Sequence, residues 1–281
     1  MRRRTAGRLL TAPMLYLILV VLAVIYIFPF LITISTSFKT LADSTASPLG
    51  LIPQNPTAAA YQRLFSGTAD FPRWFLNSVI VTVFVTLGRV IFDSMAGYAL
   101  ARIPFRGRNV VFACLVAVMA VPNVVLLLPK FFVIKELGMY DTYFGMIIPL
   151  LVDATGIFIM RGFFESIPIS IEEQARIDGA GPFRVFWSIV LPMARPAVMT
   201  LIILSFQGSW NELGHFVIST QSPSLYPLTR GVASLVNSIG GEKTDYPFQL
   251  AAAATMTIPV IIVFFIFQRR IINTQTGGVK E

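Results

Sequence analysis

The sequence predicts an all-α polytopic membrane protein with about six transmembrane helices and a helix–turn–helix loop between the fourth and fifth, and three observations carry that prediction. The composition is 55% hydrophobic and only 13% charged, with a mean hydropathy of +0.73, far more apolar than an ordinary water-soluble domain. The apolar residues fall in uninterrupted runs of about 20, the length that crosses a hydrocarbon core. These runs are apolar on every face, as in LYLILVVLAVIYIFPFLITI, whereas a barrel strand would alternate over about 10 residues.

In chain order the hydropathy places spans over residues 13–37, 74–101, 110–129, 140–161, 193–218 and 250–268. The first follows Arg2, Arg3, Arg4 and Arg8. It is about twice as long as the apolar region of a secretory signal and no small-x-small cleavage site follows, so it reads as a signal anchor. Residues 38–73 are rich in Pro, Ser, Thr and Ala, a composition for irregular structure with a short helix near Ala58. Arg102, Arg106 and Arg108, then Arg176 and Arg184, then Arg269 and Arg270 share one side of the membrane with the N-terminal arginines. The positive-inside bias makes that side cytoplasmic and predicts that both termini lie there. The net charge of +8 is thus accounted for by topology. Its basic residues are scattered between apolar runs and form no face for nucleic acid. A single cysteine, Cys114, excludes an intramolecular disulfide and paired-thiol chemistry.

Between the fourth and fifth spans lies FFESIPISIEEQARIDGAGPFRVFWSIVLPMARP, too polar to cross the bilayer. Pro168 closes the preceding span, Ser170 and Glu173 have the spacing of a capping box, and Gly179 is suited to end a helix in the left-handed conformation. Pro182 suits the first turn of a second helix, which Pro192 is expected to end. The first helix can pair Glu172 with Arg176 and present the small Ala175, while the second projects Phe183, Phe186 and Trp187 beside Arg184. Such a loop is either a knob for a groove on another protein or an interfacial loop anchored by aromatics.

Ionisable groups inside spans are expensive and call for a role. Arg89 and Asp93 stand four residues apart and are expected to neutralise each other as a structural pair, or to touch a substrate. Asp153 has no partner in its own span, so it lines a polar cavity or bonds a neighbouring helix. Trp210, Asn211 and Glu212 offer a stacking face and hydrogen bonds to a sugar, or serve helix packing and gating. His215, the only histidine, reads as a structural group and cannot form a metal site alone. There is no G-x-x-x-x-G-K-[ST] loop, no H-E-x-x-H and no G-x-S-x-G, so no catalytic residue, no metal and no cofactor bound by this chain is expected.

The loop resembles the EAA motif of bacterial ABC importer permeases at Glu173-Gln174-Ala175, Gly179 and Ile189-Val190-Leu191-Pro192, with Gln174 in place of the family's first Ala. The resemblance continues through NSVIVTV, AGYALARIPFRGRN, GSWNEL, PLTRGVASL and the terminal TGGVKE. It narrows to the carbohydrate-uptake branch and its smaller maltose-type permeases. It implies one permease domain over residues 1–281, with a coupling loop at 165–192 and a cytoplasmic tail at 269–281. Glu172, Glu173, Ala175, Asp178, Gly179, Ile189, Leu191 and Pro192 would couple to an ATPase, which Gly277, Gly278, Val279 and Lys280 of the tail would also touch.

The implied partners are a second permease subunit forming a heterodimer, a dimer of ATPase subunits carrying ATP and Mg, and an extracytoplasmic solute-binding protein. The implied cargo is a sugar, with glycerol phosphate or another polyol as the alternative, and the location is a bacterial or archaeal cytoplasmic membrane. The intramembrane Arg89, Asp93 and Asp153 would also suit an ion-coupled secondary transporter, a class that the motif spacing argues against.

Overall fold

The computed structural model describes residues 6–67, 70–237 and 245–276, and every regular element among them is a helix. In chain order these are α1 (Ala6–Ser37), α2 (Leu41–Ala46), α3 (Ala59–Phe65), α4 (Phe71–Arg102), α5 (Arg108–Met119), α6 (Leu127–Glu136), α7 (Tyr143–Ile147), α8 (Ala154–Ser166), α9 (Ile169–Ile177), α10 (Pro182–Val185), α11 (Leu191–Met193), α12 (Arg195–Trp210), α13 (Gly214–Ser219), α14 (Leu228–Asn237) and α15 (Tyr246–Thr276). Four stretches are long and apolar enough to cross a bilayer: Met14–Ser37, Phe71–Arg102, Tyr143–Ser166 and Tyr246–Phe267.

The third and fifth predicted spans are not straight. Arg108–Met119 and Asn123–Glu136 meet at 102°, and Pro182–Met193 and Arg195–Trp210 meet at 81°. Pro122 precedes the short 3-10 turn Asn123–Leu126, and a proline both lacks an N–H and steers its predecessor away from helix. The predicted span at 193–218 also breaks at its far end: α12 stops at Trp210, and the chain turns through Asn211 and Glu212 before α13. The fourth span is interrupted near its start, where the 3-10 turn Ile148–Leu150 carries Pro149 and leads to Asp153, the cap of α8.

The chain divides into two compact units, residues 1–69 with 234–257 and residues 70–233 with 258–281. In the first, α1 leaves its apolar side chains from Met14 to Leu31 largely exposed, as suits a helix whose solvent is lipid. The segment after it is irregular apart from α2 and α3, the latter being the short helix expected near Ala58. Polar contacts hold it: Thr40 caps α2 by accepting from Asp43 N, Lys39 Nζ donates to Ser47 O at 2.8 Å, and Asp43 accepts from Gln54 N at 2.9 Å. Arg63 pairs with Asp245 at 2.6 Å and lies over the Phe248 ring.

The second unit is built on α4, which packs against α8 and α12. Apolar side chains gain nothing by leaving lipid, so membrane helices associate through close packing of small residues. Ser78, Thr82, Ser94, Ser205 and Ser209 are accordingly buried. Toward the C-terminal end of α4 lies an apolar cluster of Tyr98, Met160, Phe164, Val185, Phe186, Val190, Ala194 and Leu201. Nearer its N-terminal end a second cluster joins Val81, Val85, Met146, Leu150 and Phe216.

The turn from α6 to α7 is pinned by Asp141, held at φ +56°. Its N–H donates to Ser219 O, and its carboxylate accepts from Gln221 N at 2.8 Å, Ser222 N at 2.9 Å and Ser222 Oγ at 2.5 Å. Burial alone would raise this carboxyl, but the three hydrogen bonds prevail and hold it below the usual carboxylate range.

Candidate functional site

The loop between the fourth and fifth spans folds as a helix, a turn and a second helix. The first, α9, begins two residues earlier than the capping box predicts. Its cap is Pro168, with no side-chain hydrogen bond from Ser170, because the proline already presets the entry and leaves Ser170 within the helix. Its end follows the prediction. Gly179 takes φ +82°, Ala180 N donates to Ala175 O and Gly179 N to Arg176 O, the double closure of a Schellman turn. Gln174 leaves α9 unbroken and lies exposed.

Beyond the turn, Pro182 opens α10 as expected, but Pro192 does not end the second helix. A π-helical turn, Phe186–Val190, carries the chain into α11 up to Met193. The wider turn relieves the clash that a proline ring makes with the carbonyl four residues back.

The two faces of this loop separate clearly. Glu173, Asp178 and Gly179 are exposed, as are Ile177 at 85% and Phe183 at 74%. Ala175 is buried in the apolar cluster that it shares with Tyr98, Met160 and Phe164, and Ile189 and Leu191 pack against the same cluster, with Pro192 half-buried. These residues seat the loop against α4 and α8 and do not offer the open surface expected of Ala175. Phe186, predicted to project, is buried instead, 5.0 Å from the Tyr98 ring.

Glu172 departs furthest from expectation. Although placed among the coupling contacts, it is only 1% exposed. Its Oε1 lies 3.0 Å from Arg102 Nε, its Oε2 accepts from Tyr98 Oη at 2.9 Å, and the expected Arg176 stands at 3.5 Å. Arg102 also donates through Nη2 to Phe164 O at 2.6 Å and to Ile167 O, carbonyls at the end of α8, where the helix runs short of its own donors and Phe164 O already takes the N–H of Ile167.

A second site lies where the interrupted helices meet. A cavity of about 540 Å³ is lined by Arg89, Asn123, Lys130, Asp153, Thr155, Glu212 and His215 among apolar residues. Each break contributes. The 3-10 turn between α5 and α6 brings Asn123, the start of α8 brings Asp153, and the gap between α12 and α13 brings Glu212. Helices broken inside a membrane are tolerated where they border such a cavity, and there they present polar groups to a solute.

The Arg89–Asp93 pair does not form. Arg89 sends Nε to Leu150 O at 2.8 Å and Nη1 toward Asp153 Oδ2 at 3.6 Å. A helical side chain leans toward the N-terminus, so an arginine points away from an aspartate one turn ahead. Asp93, fully buried, instead accepts from Asp153 N at 3.0 Å and fixes the start of α8. Gly156 makes room for it, since a Cβ there would clash with Asp93 Oδ2. Asp153 thus both bonds a neighbouring helix and lines the cavity, and it caps α8 by accepting from Thr155 N.

The predicted sugar face of Trp210 is not available. The indole is 2% exposed, stacked on Phe206 at 5.7 Å and edge-on to Phe75. Asn211 turns its amide back to Gln207 O. Of the three, Glu212 lines the cavity, and its Oε1 also accepts from His215 N at 2.8 Å. His215 is buried with Nε2 at 3.1 Å from Gly145 O, and it borders the same cavity. Sequence reading missed Lys130 and Asn123, although a lone lysine directly after the apolar run VVLLLP was a visible signal. The tail residues Gly277, Gly278, Val279 and Lys280 lie outside the described residues. Among those described, no cluster of His, Cys, Asp and Glu could hold a metal ion.

Comparison with known proteins gives consistent matches. The family described as binding-protein-dependent transport system inner membrane component matches residues 93–274. An arabinooligosaccharides transport system permease protein of Bacillus subtilis is 32% identical, with 95% of each chain covered. A diacetylchitobiose uptake system permease protein of Streptomyces coelicolor is 32% identical over 93% of this chain and 86% of its own. Among solved structures, a chain of a bacterial ABC transporter involved in the import of the acidic polysaccharide alginate superposes with a TM-score of 0.84 at 25% identity, covering 96% of this chain and 99% of that one.

Proposed function

Because the chain belongs to the family of binding-protein-dependent transport system inner membrane components, and is a permease subunit of an ABC importer, we propose that it passes a saccharide inward through the cavity between its broken helices. The observation that carries this reading is the cavity itself. Acids and bases, Asp153 and Glu212 with Arg89 and Lys130, face one space of about 540 Å³. A ring of hydroxyls needs both donors and acceptors, and such mixed polar linings among apolar walls are the usual form of a small-molecule site. The relatives named for arabinooligosaccharides and diacetylchitobiose support a sugar as cargo.

Membership of the family supports the same reading for the rest of the machine. The whole chain acts as one permease domain, paired with a second permease subunit. A dimer of ATPase subunits holds ATP and Mg, and a solute-binding protein delivers the cargo outside. Both termini lie in the cytoplasm of a bacterial or archaeal cell, by the arginine bias. On that side the α9 knob docks on an ATPase through Glu173, Ile177, Asp178, Gly179 and Phe183, and the tail at 277–280 adds a second contact. ATP closes the ATPase pair and so favours the outward-open state, a population shift that returns on hydrolysis.

The test uses the co-purified transporter in proteoliposomes, with ATP inside and its solute-binding protein added, offered arabinotriose, diacetylchitobiose or sn-glycerol 3-phosphate. A saccharide should be taken up, and Glu212→Gln should lower that uptake at least tenfold with the ATPase subunits still bound. Uptake of the glycerol phosphate alone identifies the alternative cargo. Uptake unchanged by both Glu212→Gln and Asp153→Asn removes the cavity from the path.

A further inference from the structure

We infer that Glu172 is the positioning residue that fastens the α9 knob to the membrane core, so that α9, α4 and α8 move as one body; this rests on the importer reading above. Glu172 is buried on the inner face of α9, opposite the exposed surface that meets a partner. Its carboxylate is held from two points on one helix, Arg102 at 3.0 Å and Tyr98 at 2.9 Å. Arg102 extends the connection by donating to Phe164 O and Ile167 O at the end of α8. One guanidinium therefore joins the end of α4, the end of α8 and the start of α9.

Those same two helices reach the cavity with their far parts. Arg89 lies about 20 Å back along α4, and Asp153 caps the opposite end of α8. A push on α9 consequently reaches the cavity walls through two stiff rods, provided the joint does not yield. The joint is suited to this. Its charges are desolvated, so they are screened little by salt, and the ring of Phe186 packs against Tyr98 at 5.0 Å, which holds the phenol in place. Exposed residues of α9 choose the partner, whereas Glu172 decides whether the partner's motion is felt in the membrane.

The test is a spin-label distance measurement on the full transporter co-purified with its ATPase subunits. Labels are placed at Ser170→Cys and Leu87→Cys in a Cys114→Ser background. With Glu172 intact, a single narrow distance peak should stay in place when ATP and vanadate are added. In Glu172→Gln the peak should broaden by about 2 Å or more, the scale of helix shifts in switching proteins, and move with nucleotide; Glu172→Asp should restore part of its sharpness. A peak that moves with nucleotide while Glu172 is intact overturns the inference, as does a peak that stays equally narrow in Glu172→Gln.

If that variant does not assemble, Tyr98→Phe removes one anchor while keeping the ring, and should give a smaller broadening; no broadening there also counts against the joint. Failure of the importer reading is seen separately, as absence of ATPase subunits from the unsubstituted preparation. The nucleotide-free peak widths still judge the joint in that case.

Discussion

Asp93 and Gly156 show how much a single atom decides in this protein. The buried carboxylate fixes the start of α8 through Asp153 N, and the missing Cβ of Gly156 leaves it room, since a Cβ there would clash with Asp93 Oδ2. Gly156→Ala should therefore destabilise the second unit by about 1–3 kcal/mol, the usual cost of overpacking, read as a lower unfolding temperature in detergent. Gly179 is constrained differently. Nothing lies within 4 Å of its missing Cβ, but its φ is +82°, so Gly179→Val should strain the backbone by about 1–2 kcal/mol and displace α10 relative to α9. If ATPase docking and transport both survive that change, the coupling role assigned to the turn is wrong.

Asp141 makes a pH prediction. Its carboxyl is depressed in the folded protein, so its contribution is complete above the unfolded value near 4 and is lost as pH falls through the folded value. The stability difference between the parent and Asp141→Asn should accordingly shrink on acidification below about pH 4, by thermal unfolding in buffered detergent.

At the scale of elements, what could be read from sequence was what depends on near neighbours. The turn at Gly179, the opening at Pro182 and the helix near Ala58 are set within a few residues, and they stand where expected. Side-chain direction was not legible in the same way. Glu172 is turned inward by Tyr98 and Arg102, and Trp210 is enclosed by Phe75 as well as its own helix neighbour Phe206. Arg89 prefers Leu150 O and Asp153 to Asp93. The deciding partners are distant in sequence, beyond the reach of any local pattern.

The breaks in the third and fifth spans escaped for a related reason: hydropathy averages over a window and does not register a bend. The α9–α10 element carries its own prediction. Ile177 and Phe183 are 85% and 74% exposed, so Ile177→Asp with Phe183→Asp should change the stability of this chain by no more than about 0.5 kcal/mol each. Removing two apolar anchors from an interface should nevertheless cut ATPase co-purification at least tenfold. Retained binding would mean that the loop meets lipid instead.

At the scale of the molecule, α4 and α8 run from the α9 loop to the cavity, and the proposed importer would receive motion at the first and hold a solute in the second. In the proposed importer the energy comes from partner ATPase subunits, and the polar groups of the cavity need only bind and release. This separates the importer from an ion-coupled carrier, in which Arg89, Asp93 and Asp153 would themselves exchange protons or ions during the cycle. The deciding measurement is solute uptake by proteoliposomes holding this chain with its partner permease, ATPase subunits and binding protein. Uptake should require internal or external ATP on the side of the α9 knob and should cease when the ATPase subunits are omitted, whatever ion gradient is imposed; uptake by this chain alone, driven by an ion gradient without ATP, would contradict the account.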